Sequence, residues 1–189
     1  MRAKFAVILA AAVLAGCGKS EDSGSGGSSG GAGAASGNAP GLDGSKDLSA
    51  DLKKVMESAF AAAKSGDKAK LAEQVKTFPL PKPEEFFKKV FGDAGAERTT
   101  GYSKMLPTFE KEIGELFEKV AGENYSFIEV YYLTNPDDPN AKGNQKDAMK
   151  SMKSPVPIYT VHFRPKAGEA GQSLYNWVYV DNGFRLMGK

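Results

Sequence analysis

Trp177-Val178-Tyr179-Val180-Asp181-Asn182-Gly183-Phe184-Arg185-Leu186, close to the end of the 189-residue chain, has the pattern of a β-hairpin. Aromatic and β-branched residues flank Asp181-Asn182-Gly183, which is a tight-turn sequence typical of two-residue hairpin loops. Upstream, Tyr125 to Thr134, Val156 to Arg164 and Leu174 to Val180 are rich in the same residue types. The last third of the chain therefore predicts an antiparallel β-meander.

The segment before the meander has the apolar spacing of helices instead. We expect helices with apolar stripes from Leu48 to Ala63, Leu71 to Val75, Phe86 to Phe91 and Tyr102 to Val120. Asp47 is the expected N-cap of the first, Gly66 its end, and Asp67 the N-cap of the second. Pro83 suits the first turn of the third helix, whereas Pro107 should kink the fourth or mark its start. The fold class predicted is α+β, with N-terminal helices packed on one face of the meander.

The order of these elements resembles the NTF2-like (cystatin-like) superfamily. The turn Ser65-Gly66-Asp67 between two opening helices and the closing aromatic hairpin carry the resemblance. The chain departs from the usual pattern because four helical segments precede any clear strand, whereas the family usually has a strand before its third helix. The resemblance implies a curved sheet forming a cone that holds a small molecule or serves as a docking face. It does not imply an enzyme.

The first 17 residues resemble a bacterial lipoprotein signal. A basic start, Met1-Arg2-Ala3-Lys4, precedes an apolar run that ends in Leu14-Ala15-Gly16-Cys17, and Cys17 is the single cysteine. The run is too short for a membrane-spanning helix. An ordinary secretory signal and a weak membrane anchor are the alternatives. The resemblance implies that residues 1–16 are cleaved as a signal peptide and that Cys17 is acylated. Because Gly18, not Asp, follows, it also implies an outer-membrane protein facing the periplasm in a diderm cell.

Between the signal and the domain lies a segment of low complexity. Residues 17–45 comprise the acylated cysteine and a tether of mostly Gly, Ser and Ala, so we expect a disordered coil with a reach of roughly 30 Å. Residues 46–189 have the composition of a single α+β domain. Loss of Arg2 and Lys4 with the signal reduces the 25 Lys and Arg to 23, which equals the 23 Asp and Glu. This balance disfavours nucleic acid as a partner. The expected partners are the membrane, through the lipid anchor, and an envelope protein or a small ligand.

The candidate site residues are the single histidine and the aromatic residues of the strands. His162 shares its strand face with Ile158 and Thr160, opposite the better core face, so we expect it to face solvent or a pocket edge. His162 is a weak catalytic candidate, since acid–base chemistry needs a neighbouring carboxylate or tyrosine. The strand aromatics either line an apolar ligand pocket or belong to the core; the candidates are Tyr159, Tyr175, Trp177 and Tyr179, with Tyr131 and Tyr132 beside them.

The remaining long segment, from Asn135 to Ser154, is expected to be a loop with a short helix over Asn144 to Met152. Within it, Met149 and Met152 are expected to be exposed and only partly packed. The sequence contains no metal-binding, nucleotide-binding or serine-hydrolase motif, so we expect no cofactor and no metal.

Two functions follow from these observations, beside the option of a purely structural surface protein with neither a pocket nor a partner. The first is a non-enzymatic, lipid-anchored envelope domain that binds a protein partner or a small ligand. The alternative is a small-molecule carrier or pocket enzyme of the NTF2-like kind that uses His162 and the sheet tyrosines.

Overall fold

The predicted meander is present in the computed structural model, which describes residues 46–188. Its strands are β1 (Phe127–Leu133), β2 (Ile158–Arg164), β3 (Gln172–Val180) and β4 (Gly183–Leu186). They form one antiparallel sheet in the order β1-β2-β3-β4. The expected α+β class is confirmed, with most of the helices preceding this sheet.

The hairpin between β3 and β4 has the expected tight turn. Asp181 and Asn182 both have positive φ, +50° and +56°, as a two-residue primed turn requires. Upstream in β3 the pairing with β2 is irregular, because Tyr159 faces Trp177 whereas Val161 faces Leu174. The extra residue is accommodated at Asn176, whose φ is +65°. This bulge changes the course of β3 halfway along its length.

Within residues 46–188, five α-helices surround the sheet. They are α1 (Ser49–Ser65), α2 (Lys68–Val75), α3 (Pro83–Phe91), α4 (Gly95–Gly122) and α5 (Gly143–Ser151), with α5 lying between β1 and β2 in the chain. Gly66 ends α1 with φ +73°, and the Asp67 side chain caps α2 by accepting from the Lys70 N–H at 3.0 Å. The range of α5 confirms the short helix expected over residues 144–152.

Two helix starts differ from the prediction. The N-cap of α1 is Leu48 and not Asp47, although the Asp47 carboxylate accepts hydrogen bonds from the backbone N–H and the hydroxyl of Ser49 at 2.8 and 2.6 Å. Pro107 does not begin α4, since that helix starts at Gly95 and runs through the proline. The helix continues because the surrounding helical hydrogen bonds and the packing of α4 outweigh the loss of the one backbone hydrogen bond that Pro107 cannot donate.

The sheet is covered on both faces, which corrects the prediction of helices on one face. On the first face, α1, α2 and the second half of α4 bury alternate strand residues, including Tyr159, Val161, Phe163 and Trp177. On the second face, α3 and α5 bury the residues of opposite parity, including Leu133, Ile158 and Val178. The apolar residues of β2 thus lie on both faces near its start, and only its end shows the alternation of a half-buried strand.

Helix α5 is responsible for the second buried face. Met149 and Met152 are each only 8 % exposed, so the expectation that they are exposed is wrong. The fully buried Gln145 joins α5 to the sheet: its amide donates to the Thr160 hydroxyl at 2.7 Å, and its carbonyl accepts from the Lys142 N–H at 3.1 Å. These two bonds satisfy Gln145 and Thr160 where the core is otherwise apolar.

The segment between α2 and α3 covers the outer edge of β4. Pro79 forms a parallel bridge with Leu186, whose N–H donates to the Phe78 carbonyl at 2.8 Å. Leu80, in the same segment, donates its N–H to the Tyr102 hydroxyl at 2.7 Å. The β4 edge is thereby covered at Leu186.

Candidate functional site

An apolar cleft lies between α4 and the first half of β3. Strand β4 pairs with β3 only from Trp177 to Val180, so Gln172 to Tyr175 have no strand partner on that side among residues 46–188. Helix α4 runs past this unpaired half of β3 without filling the space beside it. The short length of β4 is therefore what leaves room for the cleft.

The cleft has a volume of about 350 Å³, at the lower end of the roughly 300–1,000 Å³ typical of small-molecule sites. One wall is the helical stripe of α4, and the other is the unpaired half of β3. The polar side chains of its lining come from Glu112, Asn144, Ser173 and Tyr175. The apolar lining consists of Met105, Phe109, Ile113, Leu116, Leu174 and Leu186. This combination of an apolar interior and a few polar groups is typical of a ligand site.

Met187 and Gly188 follow β4, and Gly188 lines the cleft. The bulged Asn176 holds them: its carbonyl accepts from the Met187 N–H at 2.9 Å, and its side-chain amide donates to the Gly188 carbonyl at 3.1 Å. A methyl group added to Gly188 would lie 3.7 Å from the terminal carbon of Met105. The bulge in β3 therefore holds both the strand wall of the cleft and the residues that follow β4.

A polar cluster around His162 adjoins the cleft through Ser173. The Ser173 hydroxyl lies 2.7 Å from His162 Nδ1, and the two residues face each other across β2 and β3. The His162 ring packs edge-on against Tyr131 and Tyr175, with ring centroids 5.1 and 6.2 Å away. Because Ser173 and Tyr175 also line the cleft, the histidine is one residue removed from it.

Charged residues at the outer end of the same sheet face complete this cluster. Glu129 is the cross-strand neighbour of His162, and its carboxylate pairs with Arg164 at 3.0 Å and accepts from the Tyr131 hydroxyl at 3.1 Å. Burial lowers the pKa of His162 below its usual 6.5, and the charge of Arg164 lowers it further, while Glu129 acts in the opposite direction. This shift favours the neutral imidazole, which accepts a hydrogen bond from Ser173 when Nδ1 carries no proton.

The predicted site residues are distributed between the core and the cleft. Trp177 and Tyr159 are 0 % and 1 % exposed and belong to the core on the first sheet face. Tyr179 is half-buried and packs against the same core cluster. Tyr175 alone of the four candidate aromatics lines the cleft. His162 is half-buried beneath the tyrosines, near the cleft edge, and a carboxylate and tyrosines lie beside it.

Several cleft residues were not identified from the sequence. Phe109, Ile113 and Leu116 belong to the apolar stripe of the fourth predicted helix, which is indistinguishable from an ordinary core stripe. Ser173 precedes the predicted start of its strand at Leu174, whereas β3 begins at Gln172. The signal that could have identified this site is the unequal length of the two hairpin strands, because a longer first strand leaves an unpaired edge.

Other features of the described region offer less to a ligand. A larger depression of about 540 Å³ over the junction of α3 and α4 contains no apolar side chain larger than alanine. Within residues 46–188, three or more His, Cys, Asp or Glu side chains do not come together in a group that could hold a metal ion. Over the same residues, every helix is too short or too polar to cross a membrane.

Comparison with known proteins adds no relative. No protein-family model matches the chain, and neither a curated protein nor a solved structure shows significant similarity to it. The signal peptide, Cys17 and the tether predicted over residues 1–45 lie outside the described residues.

Proposed function

We propose that this protein is a lipid-anchored component of the bacterial cell envelope whose globular domain binds a small apolar molecule without transforming it. The observation that carries the proposal is the cleft of about 350 Å³ between α4 and the unpaired half of β3. Its apolar interior favours hydrocarbon, and its polar side chains supply hydrogen bonds that orient a ligand.

The position of the domain in the cell follows from the sequence. Acylation of Cys17 would attach the chain to a membrane, and the residues up to 45 would act as a spacer for the domain. In a diderm cell the site is the outer membrane, with the domain facing the periplasm. The partners in this proposal are the membrane, through the anchor, and a small ligand in the cleft.

The NTF2-like assignment belongs to the same proposal. It is supported by the turn Ser65-Gly66-Asp67 between α1 and α2, the long α4 against the sheet and the closing hairpin of β3 and β4. The cone that this fold implies corresponds to the space between α4 and the bulged β3. The departure in element order remains, because four helices precede β1.

Native mass spectrometry of the full-length protein, purified from its own envelope, tests the binding function. We expect a reproducible small-molecule adduct, and we expect Leu116→Trp to remove it by filling the cleft. Leu106→Trp is the matched control, since Leu106 is on the same helix, is 36 % exposed and does not line the cleft. An adduct that survives Leu116→Trp, or no adduct in the unmodified protein, would contradict the proposal.

A pocket enzyme or carrier using His162 and the tyrosines is the second candidate. It is favoured by the 2.7 Å contact between His162 Nδ1 and Ser173 Oγ, a lining residue of the cleft, beside Tyr131 and Glu129. A neutral imidazole in this position would accept a proton from a group bound in the cleft or from Ser173. A turnover activity lost in His162→Ala, while the adduct is retained, would establish this function in place of simple binding.

A further inference from the structure

We propose that the ligand of the α4–β3 cleft is a single unbranched hydrocarbon chain with a small polar head, supplied as a free single-chain lipid. This inference rests on the binding function proposed above and specifies the ligand class. It is drawn from the shape of the cleft and from the placement of its polar groups.

The length of the cleft follows from the helix that forms its wall. Its lining residues on α4 extend from Met105 to Leu116. At 1.5 Å per residue, these eleven steps cover about 16 Å along the helix axis. An extended polypeptide advances up to about 3.6 Å per residue, which is roughly 1.2 Å for each of its three backbone bonds. An extended hydrocarbon chain with the same advance per bond fits about 13 bonds into this length.

The width follows from the volume. A volume of about 350 Å³ spread over that length corresponds to a channel roughly 5 Å across. Carbon atoms of a bound chain and of the walls approach to about 3.5–4.0 Å, so one hydrocarbon chain occupies a cylinder of about that width. The length and the volume together therefore match one hydrocarbon chain lying along α4.

The polar groups of the cleft complete the argument for an amphipathic chain. Ser173, Tyr175 and Asn144 lie on the side of the sheet and α5. On the helical side, Phe109, Ile113 and Leu116 form the apolar wall, and Glu112 is its one charged residue. The hydroxyl of Ser173 is positioned by its contact with His162. A hydroxyl or ester head group would find hydrogen-bonding partners there while its chain remains against the helix.

Calorimetric titration with linear and cyclic alcohols tests the shape. The titration uses the full 189-residue chain carrying Cys17→Ala, which has no acyl group of its own that could occupy the cleft. Circular dichroism is used to check that this variant is folded. We expect affinity to rise by up to about fourfold per added CH₂ from octanol onward and to level off near 12 or 13 carbons. Dodecanol should bind at least tenfold more tightly than cyclododecanol, which has the same number of carbons in a compact ring.

Variants and outcomes separate this inference from the binding function itself. Leu116→Trp should abolish dodecanol binding by filling the cleft, whereas Leu106→Trp should leave dodecanol binding unchanged. Cyclododecanol binding as tightly as dodecanol, or affinity that is independent of chain length, would overturn the linear-chain inference and leave the binding function intact. Failure of every alcohol to bind would overturn both.

Discussion

Replacement of glycine by alanine at two positions in α4 should change the free energy of unfolding in opposite directions. Gly95 starts the helix with ordinary helical angles, φ −64° and ψ −31°, so alanine meets no conformational strain there. A methyl group at Gly95 would, however, touch the Phe87 carbonyl oxygen and lie 2.5 Å from its carbon and 2.7 Å from the Lys88 nitrogen. These are backbone atoms of α3, which cannot move aside as a flexible side chain would. Gly101 is the matched site, because a methyl group there has no atom within 4 Å.

The expected magnitudes follow from these contacts. Gly95→Ala should lower the free energy of unfolding by about 1–3 kcal/mol, because α3 and α4 must separate to admit the methyl group. Gly101→Ala should raise it by about 0.5–1 kcal/mol, the usual gain of alanine over glycine within a helix. With a slope near 2 kcal/mol/M in urea, the two midpoints should differ by about 1–2 M.

Urea unfolding followed by circular dichroism measures this difference in the Cys17→Ala chain. A domain stability of about 5–15 kcal/mol leaves both variants folded in the absence of urea. The slope should remain constant, since neither substitution changes the surface exposed on unfolding. Equal midpoints for Gly95→Ala and Gly101→Ala would refute the close approach of α3 to α4, and with it the position of the helical wall of the cleft.

Three further predictions concern a buried hydroxyl, the histidine and the anchor. Tyr102→Phe should cost about 1–3 kcal/mol in urea unfolding, because the buried Leu80 N–H loses the acceptor that now lies at 2.7 Å; an unchanged midpoint would contradict this. The pKa of His162 in the folded state is below 6.5, so the unfolded chain binds more protons than the folded chain as the pH falls through 6.5. Stability is therefore lost on acidification. Unfolding measured between pH 8 and pH 5 should therefore depend less on pH in His162→Gln, and an identical dependence would exclude His162 as a cause. Cys17→Ala should release the protein from the membrane fraction, whereas retention at high salt would contradict acylation at this residue.

The sequence predicted most elements of the fold because their local signals agree. The turn Asp181-Asn182-Gly183 requires positive φ, and both residues at its centre adopt it. The cap at Asp67 and the helix end at Gly66 are also where local chemistry places them. These features depend on a few neighbouring residues, so they can be predicted without the tertiary structure.

The features that were predicted wrongly depend on contacts distant in sequence. Helix α4 continues through Pro107 because packing on the sheet outweighs one missing hydrogen bond. Met149 and Met152 are buried because α5 packs on the second face of the sheet, which no local pattern in its polar sequence indicates. The sequence likewise could not place Ser173 against His162, since this contact depends on the register of β2 and β3.

The most direct test of the proposed binding site is nuclear magnetic resonance of isoleucine methyl groups during titration with dodecanol. The described residues contain isoleucines at 113, 128 and 158, and only Ile113 lines the cleft. Ile158 is buried on the other sheet face, so it serves as an internal control. We predict a saturable shift of the Ile113 methyl signal with little change at Ile158. A titration that leaves Ile113 unmoved, or shifts Ile158 instead, would contradict binding in the α4–β3 cleft.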